Sequence, residues 1–365
     1  MERTKNILHI SPDFNYSCGV SKYVFSLLKN FGQDQAYKIF FITNGGDSLD
    51  RVSDLNVKLT VINFSKGLKN IFNFYPNFRT LRRFCIQNNI DIIHTHHRYP
   101  EFLAHLVTKG TNIKTVSTVH SLVRGKGIFS FNSDKIIAVS CVVKIMLDDY
   151  YKIPSEKIIM LHNYLEFPDL KEQQIDFDIK SKLNIPEDGK IILFLGRITR
   201  IKGVDLLIEA FKLLRQKNGK IFLLIIGQVY DNSLKSVLRN LPDEIKLLAP
   251  VKNPYPYYSV ADLVVLPSRI DPFPYVMLET GIMNKPFLGA KTGGIEEFIE
   301  DGINGILFEP GNVMELNNKI EYMINNQEKT QIMAENLFKK VKERMSKEKY
   351  IDQLTHIYDE LLMAK

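Results

Sequence analysis

Two carboxylates in "SRIDPFPYVMLETG" (Ser268–Gly281) stand eight residues apart, Asp271 in a proline-flanked turn and Glu279 in the apolar run that follows. The preceding "ADLVVLP" reads as a strand and "YVMLETGIM" as the start of a helix, so the acids border a strand-to-helix turn. Pro274 suits the first helical turn, where its missing N–H is no loss. The N–H groups of Phe273 and Tyr275 then face a ligand near the positive end of the helix dipole. Glu279 can grip a polyol such as ribose as a bidentate acceptor, and Asp271 can meet a second set of hydroxyls.

A second strand-to-helix turn carries the opposite charge. "GRITRIKGVDLLIEAF" follows the apolar "KIILFL": Gly196 lets the backbone turn, Arg197 and Lys202 stand five apart, and Gly203 opens a helix with Asp205 in its first turn. Cations beside a helix N-terminus suit a diphosphate; a solvated basic loop has the same composition. In "SPDFNYSCGVSKYVF", Gly19 marks either an anion-approaching helix start or a plain loop. His120 ends the strand-like "KTVSTVH", and "HTHHR" puts His94, His96, His97 and Arg98 at another strand end. Those histidines have no carboxylate partner at ligand spacing, so no metal is expected. Arg197, Lys202 and helix N-termini would neutralise a diphosphate instead. Two acids for hydroxyls and two cations for phosphates describe a nucleotide-sugar site.

Such turns need strands and helices to hold them. Apolar, β-branched runs alternate with helix-like segments, from "NILHI" to "KIIAVS" in the first half and from "KIILFLG" to "GILFEP" in the second. Near-continuous apolar strands imply sheets covered on both faces, and the alternation implies parallel, doubly wound α/β domains. Ligands then bind outside the carboxyl ends of the strands. The polar "EFPDLKEQQIDFDIKSKLNIPEDG" separates the two sets and puts a boundary near residue 170. Domains of 1–170 and 171–345 follow, with a terminal helix over 346–365. That helix carries Tyr350, Leu354, Ile357, Tyr358 and Leu361 at helical spacing, a face to pack back on the first domain.

At 365 residues, 45% hydrophobic and 24% charged, the chain has an ordinary globular composition. No apolar run reaches the roughly 18–20 residues of a membrane span, and the start has no signal-peptide pattern. Cys18, Cys85 and Cys141 are too scattered for a disulfide framework or a zinc site, which fits a cytoplasmic location. Residues 1–170 hold 21 of the 48 Lys/Arg but 14 of the 41 Asp/Glu, so the whole net charge of +7 lies there. It concentrates in residues 64–84, with five basic residues, six aromatics and no acid. That composition suits either peripheral contact with an anionic membrane or a core helix with a solvated basic face. Nucleic acid is not an expected partner, since no recognition motif accompanies the charge.

In order and spacing, "GRITRIKG", "DPFPYVMLE" and "TGGIEEFIEDGINGILFEPGN" resemble the donor domain of the family 4 glycosyltransferases, over roughly residues 190–312. Gly19, "DIIHTHHR" and "STVHS" resemble the same family's first domain. The resemblance implies the GT-B fold, two Rossmann-like domains facing across a cleft, with an acceptor-side first domain and a nucleotide-sugar donor domain second. It implies a retaining sugar transfer from a UDP- or GDP-sugar to a glycan or lipid-linked glycan, in cell-surface polysaccharide synthesis. By the same resemblance Arg197 and Lys202 hold the diphosphate, Glu279 the ribose, and Asp271 and His120 the donor sugar. Two positions depart from the family pattern: Asp271 replaces a Glu, and Cys18-Gly19 replaces Gly-Gly. A GT-B epimerase, which needs no acceptor, and a non-catalytic bilobed nucleotide-sugar-binding protein share the two-domain plan. A nicotinamide dehydrogenase does not fit, since no GxGxxG follows a strand.

Overall fold

The computed structural model describes residues 3–64, 73–125, 129–167, 179–216 and 220–363. The chain forms two compact units, Met1–Tyr164 with Lys347–Lys365, and Leu165–Ser346.

The first unit is built on seven parallel strands: β1 (Lys5–Ile10), β2 (Tyr37–Thr43), β3 (Val57–Val61), β4 (Ile92–Thr95), β5 (Lys114–Val119), β6 (Lys135–Ala138) and β7 (Ile158–Met160). Their order is β3-β2-β1-β4-β5-β6-β7. The second unit holds β8 (Lys190–Leu195), β9 (Ile221–Ile226), β10 (Ile245–Leu248), β11 (Leu263–Leu266), β12 (Phe287–Ala290) and β13 (Ile306–Phe308). The order there is β10-β9-β8-β11-β12-β13, again all parallel. Every residue of β9 is buried, as a strand covered on both faces requires. Every run read as a strand, from "NILHI" to "GILFEP", forms one, which accounts for twelve of the thirteen described strands. β7 was not expected, because three residues carry too little periodicity to register.

Strand order reverses beside β1 in the first unit and beside β8 in the second. In a doubly wound sheet that reversal opens a crevice at the carboxyl ends of the two central strands. The loops that matter are therefore those after β1 and β4, and those after β8 and β11.

The helix Lys347–Met363 buries Tyr350, Leu354, Ile357, Tyr358 and Leu361, the five residues of its apolar stripe, within the first unit. Residues 65–72 of the basic, aromatic segment lie outside the described residues, as does much of the interdomain segment. In the rest, Phe64 is buried, and Phe74, Phe78 and Phe84 pack on the core formed with β1, β2 and β4. Arg82 donates to the carbonyls of Val107 (3.0 Å) and Lys109 (3.3 Å). The aromatic content is thus largely core. Tyr75, Arg79, Arg83 and Ile86 stay exposed on the helix Phe74–Gln87.

Candidate active site

The turns after β8 and β11 are pressed together. Gly203 has φ 73°, and a Cβ there would come within 1.9 Å of the Pro267 carbonyl oxygen, so only glycine lets the two turns close. Gly294 is as tight, with a Cβ position 2.1 Å from the Pro272 carbonyl, and its N–H donates to the Asp271 carbonyl at 3.0 Å. Arg269 ties the turns laterally: its N–H donates to Ile201 (2.8 Å) and its guanidinium makes a bidentate pair with Asp205 at 2.8 and 2.9 Å. Asp205 is expected in the first turn of its helix and lies there, in Val204–Arg215. Its partner Arg269 has no local sequence signal, because the pair spans 64 positions.

Asp271 is 3% exposed and accepts from Lys202 Nζ at 2.6 Å and from the Ser268 hydroxyl at 3.2 Å. Lys202 and Asp271, read from sequence as gripping separate parts of a ligand, meet in one ion pair. A diphosphate would have to share that ammonium. Arg197 is exposed and has no partner among the described residues. Gly196 has φ 149° and donates its N–H to the Ile226 carbonyl at 3.0 Å, so it continues the β8 ladder before the turn.

Pro274 is the N-cap residue of the helix Tyr275–Ile282, one position before the first turn in which it was expected. Its ψ of 134° explains this, since that residue is still extended. Phe273 is buried with its ring 5.7 Å from that of Phe298, so its side chain is a wall of the turn. Glu279 is 4% exposed and accepts from the Tyr258 hydroxyl at 2.6 Å. Burial, and then the charge of Glu279, hold the Tyr258 phenol well above its ordinary pKa. Tyr258 comes from the helix Tyr255–Val260, ahead of β11.

In the first unit, Gly19 begins the helix Gly19–Gln33, with Cys18 as an N-cap that makes no side-chain hydrogen bond. Around the switch point the sheet gathers four histidines. The register pairs His9 of β1 with His94 of β4. Nδ1 of His9 lies 3.3 Å from Nε2 of His96, and the ring of His120 lies 5.8 Å from that of His96. His120 directly follows β5 and meets the Tyr23 ring edge-on at 4.7 Å. Burial lowers the pKa of His9 to about 3 and, with a further push from His97, that of His120 to about 3. Burial and then their neighbouring imidazoles hold His94 and His96 well below the ordinary value. All four are therefore neutral. Arg98 turns elsewhere, donating to the Ser130 hydroxyl at 2.9 Å.

His9, His94 and His96 each offer a ring nitrogen, the three lying within 4.8 Å of one another. Both nitrogens of His94 are engaged, Nδ1 with the Tyr358 hydroxyl (2.6 Å) and Nε2 with that of Thr118 (2.8 Å). Ligation by His94 would require one of those hydroxyls to leave, and no carboxylate stands in the trio to offset a buried dication. His94 docks Tyr358 of the last helix on the cluster, while Nε2 of His9 and Nδ1 of His96 are buried without a hydrogen-bond partner among the described residues. His9 is invisible to local spacing, because only the β1–β4 register brings it there.

The family model of "Glycosyl transferases group 1" matches residues 176–340, and that of "Glycosyltransferase Family 4" matches residues 18–166. An uncharacterized glycosyltransferase of Methanocaldococcus jannaschii is 26% identical, over 97% of this chain and 98% of its own. The lipopolysaccharide 1,2-N-acetylglucosaminetransferase of Salmonella typhimurium is also 26% identical, over 90% of this chain and 91% of its own. Among solved structures, a glycosyltransferase from Rickettsia africae superposes with a TM-score of 0.85 over 100% of both chains, at 24% identity. HepE of Anabaena, in complex with UDP-glucose, does so with a TM-score of 0.82 over 97% of this chain and 99% of that one, at 17% identity.

Proposed function

The chain belongs to the family 4 glycosyltransferases and has their two-domain α/β GT-B fold, and on that premise we propose a specific reaction. It transfers a hexosyl group from a UDP- or GDP-sugar to a glycan or lipid-linked glycan in cell-surface polysaccharide synthesis, with retention and without a metal. The strongest support is the pair of turns after β8 and β11. They bring Lys202, Asp271 and a buried Glu279 to the switch point of one sheet, where backbone approach is secured by Gly203 and Gly294. In this reading Lys202 and Arg197 stabilise the charge that develops on the departing diphosphate, the main catalytic task. Glu279 accepts from the ribose, and Asp271 both orients Lys202 and accepts from the sugar. The chain from Phe273 to Tyr275 shapes the wall, with Gly196 at the phosphate side. Gly19 leaves room for the backbone at the first unit's helix start. A neutral His120 would meet a sugar as a hydrogen-bond partner and not as a cation. The Salmonella relative acts on lipopolysaccharide and the Anabaena neighbour holds UDP-glucose, which supports this substrate class.

The test is a thermal-shift panel of UDP, GDP, UDP-glucose, UDP-N-acetylglucosamine and GDP-mannose in the presence of EDTA. A ligand at a hundredfold excess over its Kd adds about 2.7 kcal/mol, or about 5 °C or more for a unit of this size. One diphosphate series is expected to give that shift; none doing so would overturn the donor assignment.

The enzyme is further proposed to work at the cytoplasmic membrane face as a peripheral protein. No helix among the described residues is long and apolar enough to cross a membrane. Support comes from the exposed Tyr75, Arg79, Arg83 and Ile86 in a stretch without an acid between Asp54 and Asp91. Each cation near an anionic surface contributes about 1 kcal/mol, so Arg79→Glu with Arg83→Glu should weaken binding to phosphatidylserine vesicles by about 30-fold or more. Arg82 is unsuited to that test because it holds two carbonyls. Vesicle binding that survives both reversals would remove this surface from consideration.

A further inference from the structure

We propose that Tyr258 is a positioning residue of the donor site, holding the Glu279 carboxylate in the orientation that accepts from a ribose diol. The inference rests on the reading of Glu279 as the ribose ligand. Glu279 lies within the helix Tyr275–Ile282, 4% exposed, and a carboxylate there has a choice of rotamers. The Tyr258 hydroxyl, 2.6 Å from Oε2, selects among them. Tyr258 is itself 0% exposed, in a core with Ile191, Leu193, Leu224 and Val264. Its ring is therefore fixed by packing, and the hydroxyl is delivered from a rigid base. Because the phenol stays protonated, its hydroxyl is the donor to Oε2 of Glu279, and the direction of the bond is set. The Tyr258 hydroxyl takes one of the roughly four lone-pair sites of a carboxylate, and a ribose diol would use others.

The arrangement separates two tasks that the local sequence merges. The turn after β11 places Glu279, while a helix that precedes β11 in the chain aims it. Tyr258 does not touch the ligand in this account, so removing its hydroxyl should act on the ribose and leave contacts with the phosphates alone.

The experiment compares UDP with its 2′- and 3′-deoxy forms by isothermal titration, with GDP and its deoxy forms alongside, on the full chain and on Tyr258→Phe, Glu279→Gln and the double variant. The wild type should prefer the ribose form of the nucleotide it binds by about tenfold or more, as a good charge-assisted pair implies. Tyr258→Phe should cut that preference to about twofold, and the double variant should be no worse than Glu279→Gln alone. The preference is a ratio of two affinities on one sample, so it does not depend on how much of a variant is folded. A preference retained in Tyr258→Phe but lost in Glu279→Gln would overturn the role of Tyr258. A preference retained in both, or no binding by the wild type, would overturn the ribose reading of Glu279 itself.

Discussion

Lys202→Ala is expected to end sugar transfer and also to take about 3–5 kcal/mol off the stability of the unit that carries it. The second effect follows from Asp271. Its carboxylate is 3% exposed and its cation sits 2.6 Å away, so truncating the lysine leaves a buried charge with one hydroxyl, that of Ser268, for company. The paired variant Lys202→Met with Asp271→Leu removes both charges; it should recover most of the stability while transfer stays absent, since apolar replacement of a buried pair is often neutral or better. Urea denaturation of the three proteins beside a transfer assay would decide. A loss of under about 1 kcal/mol for Lys202→Ala would mean that the pair behaves as a surface one. Arg197→Ala is the cleaner probe of phosphate binding alone, because Arg197 is exposed and no described residue holds it.

Below about pH 6.5 the first unit should lose stability steeply. Four imidazoles are kept neutral there: His9 and His120 titrate at about 3, and His94 and His96 well below their ordinary value. Each has a folded pKa below its unfolded one, so on acidification the unfolded chain takes up protons first. The contribution is complete above about pH 6.5 and shrinks by about 1.4 kcal/mol per pH unit for each group as the pH falls toward the folded values. At pH 5 His9 and His120 alone remove about 4 kcal/mol, a large part of the stability of a domain, and His94 and His96 act in the same direction. Glu101 works the other way: burial raises its pKa, so protonating it favours the folded state, but it is one group against four. Hydrogen exchange of the amides in Lys347–Met363, followed from pH 7.5 to pH 5 and corrected for intrinsic rate, should show protection collapsing over this window. Protection unchanged at pH 5 would show that these imidazoles take up protons inside the folded unit.

How much of this could be read in the sequence depends on how far apart the cooperating residues are. The strands were legible because burial on both faces writes them as apolar runs, and Gly203, Asp271 and Glu279 were legible because each belongs to one strand-to-helix turn or to the helix that it opens. The partnerships were not. Lys202 with Asp271, Arg269 with Asp205, and Tyr258 with Glu279 join residues 69, 64 and 21 positions apart. The first two exist because the parallel sheet sets the turns after β8 and β11 side by side, and the third joins the helices that precede and follow β11. The same register turns an isolated histidine in "NILHI" into the partner of His94. Local spacing lists the groups; only the sheet decides which of them touch. The basic, aromatic segment failed for another reason, since Phe74 and Phe78 face the core while Tyr75 and Arg79 on the same helix face out, and composition does not record direction.

The return of the last helix to the first unit also bears on how the protein is made. A chain emerging from the ribosome delivers β1 to β7 early, but Tyr350 and Tyr358, which close over Tyr23 and His94, arrive only after the whole of Leu165–Ser346. The unit Leu165–Ser346 is continuous in sequence and has all its parts before then. Synthesis thus inverts the usual N-terminal-first order of maturation. The half that is begun first is completed after the other, and its histidine network waits for Lys347–Met363 to be made.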